Sequence, residues 1–120
     1  MTDLWLPWPP SVNSLYRNTK RGTLLSASGR EWFKDALGSV SHQKMHGICT
    51  EGPLHVSVAL CPPTRRIYDI DNKSKAILDA LVKNAVILED NCDHVRKLTL
   101  EHIPDADTEP GAYITIAPTS

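Results

Sequence analysis

At 120 residues the chain suits one compact domain and is too short for two, so a second active site would have to come from a second copy. Hydrophobic content of 41% and charged content of 22% fit a folded protein rather than a disordered one, and no apolar run approaches the roughly 20 residues that span a bilayer. The net charge is -1, with the charges unevenly placed: Arg17, Lys20, Arg21, Arg30 and Lys34 face Glu31 alone, whereas the last stretch carries Asp105, Asp107 and Glu109. Three cysteines, Cys49, Cys61 and Cys92, have no short pairing spacing, and the opening residues lack a signal stretch, so a cytoplasmic location is expected.

Leu4, Leu6 and Trp8 alternate with Trp5 and Pro7, the pattern of a strand that Pro9 and Pro10 must stop, because proline donates no hydrogen bond to a ladder. Residues Asn13 to Leu25 are polar, basic and aperiodic, and are expected to form a mobile loop carrying Tyr16, Arg17, Lys20 and Arg21. Ser28 and Glu31 match a capping box, and Trp32, Phe33, Ala36, Leu37 and Val40 recur at helical spacing, so a first helix is expected from about Gly29 into the forties.

Leu54, Val56, Val58 and Leu60 alternate with His55, Ser57 and Ala59, a half-buried strand closed by Pro62 and Pro63. From Asn72 to about Asn84, Ile77, Ala80, Leu81 and Asn84 share one helical face, with Lys73, Lys75 and Asp79 projecting elsewhere. Val95 to Ile103 and Ala112 to Ala117 have strand character, joined through the Pro104 to Gly111 loop. The order predicts an α+β fold: one mixed sheet of about four strands, with two main helices on a single face.

Asp69-Ile70-Asp71 carries the chemistry. In an extended segment residues i and i+2 point the same way, so two carboxylates would converge while Ile70 enters the core. A hard cation such as Mg²⁺ relieves their repulsion and suits phosphate substrates. The plainer alternative makes Asp71 a helix N-cap and pairs Asp69 with Arg65 or Arg66. Asp90, past the second helix, is either an ordinary acidic turn residue or a third ligand brought back by Val86 to Leu88. Lys75, one helical turn after Asp71, is either a surface ion-pair partner or a charge that neutralises a phosphate.

His42 and His46 have a zinc-compatible i,i+4 spacing with no residue to complete the set, and Cys92-Asp93-His94 reads as a turn. Trp32 belongs to the core by its place on the apolar helix face.

Tyr68-Asp69-Ile70-Asp71-Asn72-Lys73-Ser74-Lys75, then Leu78-Asp79-Ala80-Leu81, then Leu88-Glu89-Asp90, together with Pro7 to Asn13 and Tyr16-Arg17, resemble the RusA family of crossover-junction endodeoxyribonucleases from Leu6 to about Glu101. The resemblance implies a homodimer that resolves four-way DNA junctions by paired nicks with Mg²⁺ or Mn²⁺. It casts Asp69, Asp71 and Asp90 as metal ligands and Lys75 as the essential lysine. Asn13, Tyr16, Arg17, Lys20, Arg21, Arg65, Arg66, Asn72 and Lys73 become the expected DNA contacts. The chain departs from the family in having only Arg65-Arg66, followed by Ile67-Tyr68, where a longer arginine run precedes the first acid. A non-catalytic DNA-binding module and a metal phosphoesterase for small nucleotides are the alternatives.

Overall fold

The computed structural model describes residues 2–47, 52–104 and 107–119. Cys49 and Asp105 lie outside them. Four strands form one mixed sheet in the order β1-β6-β4-β5: β1 is Thr2–Leu6, β4 is Leu54–Cys61, β5 is Val95–His102 and β6 is Gly111–Pro118. β6 runs antiparallel to β1 and β4, whereas β4 and β5 are parallel and are joined by a helical crossover. This is the expected α+β arrangement. Among the described residues no helix is long and apolar enough to cross a membrane.

The period-2 alternation puts Leu4, Leu6, Val56, Val58, Leu60, Ala112, Ile114 and Ile116 on one buried face of the sheet. Helices α2 (Ala27–Gln43) and α3 (Ser74–Lys83) cover that face with Trp32, Ala36, Val40, Ala76, Ile77, Ala80 and Leu81. The apolar positions expected for both helices are buried, except that Phe33 is half-buried and Leu37 is exposed. Beyond α3, Val86 and Ile87 turn back into the core, each amide bonding to the Leu81 carbonyl. His46 is committed to this junction: its Nδ1 lies 2.8 Å from the Asn84 carbonyl and its Nε2 3.0 Å from Ser41 Oγ.

Three local expectations are corrected. Residues Asn13 to Leu25 are not a mobile loop: Val12–Leu15 form a short helix, α1, and β2 (Tyr16–Thr19) pairs with β3 (Gly22–Leu25) as an antiparallel hairpin. Its turn is specified by Gly22, at φ 113°, and by Thr19, whose hydroxyl donates to the Gly22 carbonyl at 2.7 Å. The hairpin escapes a periodicity reading because Arg17 to Leu24 are exposed on both faces.

The cap of α2 is Ser26 rather than Ser28, its Oγ accepting from the Gly29 amide at 2.9 Å. Gly29 also permits α1 to cross closely, since a Cβ there would strike the Leu15 carbonyl oxygen.

The expected extended run over Asp69 to Asp71 gives way to a 3₁₀ turn, Ile70–Lys73, that leads into α3. Ile70 consequently stays 36% exposed instead of entering the core, and Lys73 is drawn inward to 8%.

Candidate active site

β4 and β5 are parallel, so their carboxyl ends lie together, the position where side chains and loops of open sheets are best placed to form a site. Pro62 to Asp69 leave β4 there as an arch. Proline fixes its start, Thr64 Oγ1 accepts the Arg66 amide at 3.3 Å, and Tyr68 anchors its end. Tyr68 shares a 2.6 Å hydrogen bond with His102 Nδ1 at the end of β5 and packs edge-on to Trp8, with ring centroids 5.1 Å apart. Burial pushes the Tyr68 hydroxyl pKa up, with a smaller contribution from Cys61.

Lys73 lies beneath this arch. Its Nζ donates to the Pro9 carbonyl at 3.0 Å and stands 5.0 Å from the Trp8 ring and 5.7 Å from the Tyr68 ring. Burial lowers its pKa, because the ammonium has lost most of its water. Lys73 thus ties the Pro-Trp-Pro-Pro segment to the acid-bearing turn. The expectation that it projects outward to contact DNA is corrected on this point: its ammonium is enclosed.

The arch divides two hollows. One, about 380 Å³, is bounded by Ser11, Ser14, Arg66, Asp69, Asn72 and Lys73. The other, about 620 Å³, is lined by Pro62, Arg65, Arg66, Tyr68, Ile70 and His102, among others. Asp69 holds the N-cap position of the 3₁₀ turn without capping it, and its Oδ2 receives only a long 3.4 Å contact from Asn72 Nδ2. The cap of α3 is Lys73, so Asp71 is not the helix cap that the plainer alternative requires. Among the described residues the Asp71 carboxylate is exposed and has no hydrogen-bond or ion-pair partner, while its backbone carbonyl accepts from Ser74 Oγ at 2.9 Å. Exposed, uncommitted carboxylates on one turn suit a hard cation, which commonly takes one or two carboxylates and completes its shell with water and substrate phosphate.

Lys75 pairs with Asp79 at 3.0 Å, and the other oxygen of Asp79 accepts the Tyr16 hydroxyl at 2.6 Å. The Tyr16 pKa is pushed up to about 12, first by burial and then by the hydrogen bond and charge of Asp79. One carboxylate therefore joins the lysine to the root of the basic hairpin, on which Arg17, Lys20 and Arg21 stand exposed, as does Asn13 on α1.

Asp90 is placed apart from this group. The amides of His94 and Val95 both bond to the Asn91 carbonyl, and Val95 pairs with Leu54. The Asp90-Asn91 turn is thereby anchored at the amino end of the parallel pair. β5 has 8 residues, so about 23 Å at ~3.3 Å per residue separates that end from His102. Among the described residues no group of three His, Cys, Asp or Glu side chains is arranged to hold a metal ion.

Asp79 and His102 were not singled out from sequence as site residues. Asp79 was legible from its i+4 spacing to Lys75. His102 depends on the β4–β5 register and left no local signal.

Two exposed acids on one turn, a lysine and a basic hairpin thus stand on a small domain with a mixed sheet, and its class, an endodeoxyribonuclease, is given by its relatives. The chain belongs to the RusA family: the family model described as Endodeoxyribonuclease RusA matches residues 7–117. It is similar to the crossover junction endodeoxyribonucleases RusA of Escherichia coli strain K12 and of Enterobacteria phage 82, each 36% identical over 85 residues, which are 71% of this chain and 70% of the relative. The protein of the same name from Escherichia coli O139:H28 is 35% identical over the same length.

Proposed function

We propose that the protein is a cytoplasmic, Mg²⁺-dependent resolvase of four-way DNA junctions that works as a homodimer, with residues 1–120 forming one catalytic domain. The observation that carries this reading is that exposed Asp69 and Asp71 stand on the turn leading into the helix whose Lys75 is tied through Asp79 to a basic hairpin, in a chain of a junction-nuclease family.

Asp69, Asp71 and Asp90 are the residues that would hold the ion. Bound there, Mg²⁺ would supply positive charge to polarise a phosphodiester and to lower the pKa of water. Mn²⁺ has the same preference for oxygen ligands and could substitute. The separation of Asp90 from Asp69 within one chain supports a site completed by Asp90 of a second copy. A two-fold dimer then has two such sites, which matches a substrate with two strands to be cut.

Asp79 accepts one of the three N–H groups of Lys75, leaving two to stabilise charge that builds on the scissile phosphate. Arg17, Lys20, Arg21 and Asn13 would contact the DNA backbone, and Arg66 and Asn72 would border the phosphate in the smaller hollow. Arg65 would do so from the larger one. Hydrolysis with the leaving group at the 3′-oxygen yields a 5′-phosphate and a 3′-hydroxyl.

Incubation with a synthetic four-way junction and with a linear duplex in Mg²⁺ tests the reading. Paired cuts confined to the junction are expected. Binding without cutting would favour a DNA-binding module, and hydrolysis of free nucleotides without junction cutting would favour a small-molecule phosphoesterase.

A further inference from the structure

Ile67 is 95% exposed, the most exposed of the large apolar side chains among the described residues, and it stands on the arch between Arg66 and Tyr68. A lone surface isoleucine is unremarkable by itself. Here three other observations converge on it. The arch is tethered by the Tyr68 contacts to Trp8 and His102 and restricted by Pro62 and Pro63, which lowers the ordering cost of presenting Ile67. It forms part of the lining of both hollows, and the larger, at about 620 Å³, has ample room for one nucleobase between the arginines and the Tyr68–His102 pair. It also lies two residues from Asp69, roughly 7 Å along extended chain at ~3.3 Å per residue.

We propose that Ile67 is an apolar wedge that enters a base step at the crossover, one or two nucleotides from the scissile phosphate, and that the displaced base occupies the cleft lined by Arg65, Arg66, Tyr68 and His102. This rests on the junction-resolvase reading and adds the recognition element that this chain places after its two arginines. Arg66 adjoins the wedge, so its charge meets the phosphates flanking the opened step. Partial unstacking is costly within a duplex and least so at a branch point, where stacking is already interrupted. Wedge insertion therefore favours junction over duplex.

The test uses a four-way junction carrying 2-aminopurine at the crossover, in metal-free buffer so that no strand is cut. Wild-type protein should raise the fluorescence severalfold on binding. Ile67→Ser should bind with affinity within about threefold by anisotropy and lose most of the rise, whereas Ile67→Leu should keep it. Binding of wild type with no rise, or a full rise with Ile67→Ser, overturns the wedge and leaves the resolvase reading standing. Absence of junction binding by wild type overturns that reading and the wedge with it. Conversion of Ile67→Ser to a monomer in light scattering, with wild type dimeric, assigns Ile67 to the contact between copies and also overturns the wedge.

Discussion

The hydroxyl of Tyr16 donates to Asp79 Oδ2 at 2.6 Å, across 63 residues of chain, and so joins the root of the basic hairpin to the helix that carries Lys75. Tyr16→Phe removes the bond and leaves a partly buried carboxylate with one partner fewer. A stability loss of about 1 kcal/mol in urea unfolding is expected, together with a several-fold drop in kcat that exceeds the change in junction affinity.

Burial of Tyr16, reinforced by this bond, sets an alkaline limit. The folded tyrosine ionises near pH 12 against an ordinary value of 10.0, so the unfolded chain loses its proton first as pH rises. The stabilisation is complete below pH 10 and disappears as pH approaches 12. Phenolate absorbance should show two late-titrating tyrosines, Tyr16 and Tyr68, of which only that of Tyr68 remains in Tyr16→Phe, and the variant's stability should fall less steeply across that interval.

Lys75→Ala removes the charge proposed to face the phosphate, yet the lysine is half exposed and supports no core contact. Junction binding should stay within about threefold while kcat falls by ~10²-fold or more, the scale of losing one transition-state charge contact. Equal losses in binding and cutting would make the residue an ordinary phosphate anchor.

Lys73 gives the opposite prediction. Among the described residues its enclosed ammonium bonds only to the Pro9 carbonyl and to aromatic faces, so Lys73→Met, which preserves the stem and removes a desolvated charge, should change stability by no more than about 1 kcal/mol. Lys73→Ala leaves a cavity under Trp8 and Tyr68 and should cost about 2 to 3 kcal/mol in urea unfolding.

Elements whose burial alternates or repeats along the chain were legible in the sequence. Leu54 to Leu60 and Ile77 to Leu81 announce their buried faces, whereas the convergence expected of Asp69 and Asp71 assumed an extended run that the structure replaces with a 3₁₀ turn. The hairpin was not legible, because Arg17 to Leu24 face solvent on both sides and pair by turn chemistry at Thr19 and Gly22. Nor was Lys73, whose inward turn depends on a 3₁₀ segment and on a carbonyl 64 residues away. The separation of Asp90 from Asp69 follows from the parallel pairing of β4 with β5, a long-range choice that neither segment encodes locally.

Complementation between two inactive variants tests the shared site most directly. Asp71→Asn and Asp90→Asn are co-expressed with different tags, the mixed dimer is isolated through both, and junction cutting in Mg²⁺ is measured. If Asp90 serves the acids of the other copy, one site of the mixed dimer is intact, and it nicks one strand while both parent dimers stay silent. A mixed dimer as inactive as its parents would contradict a site built from two chains.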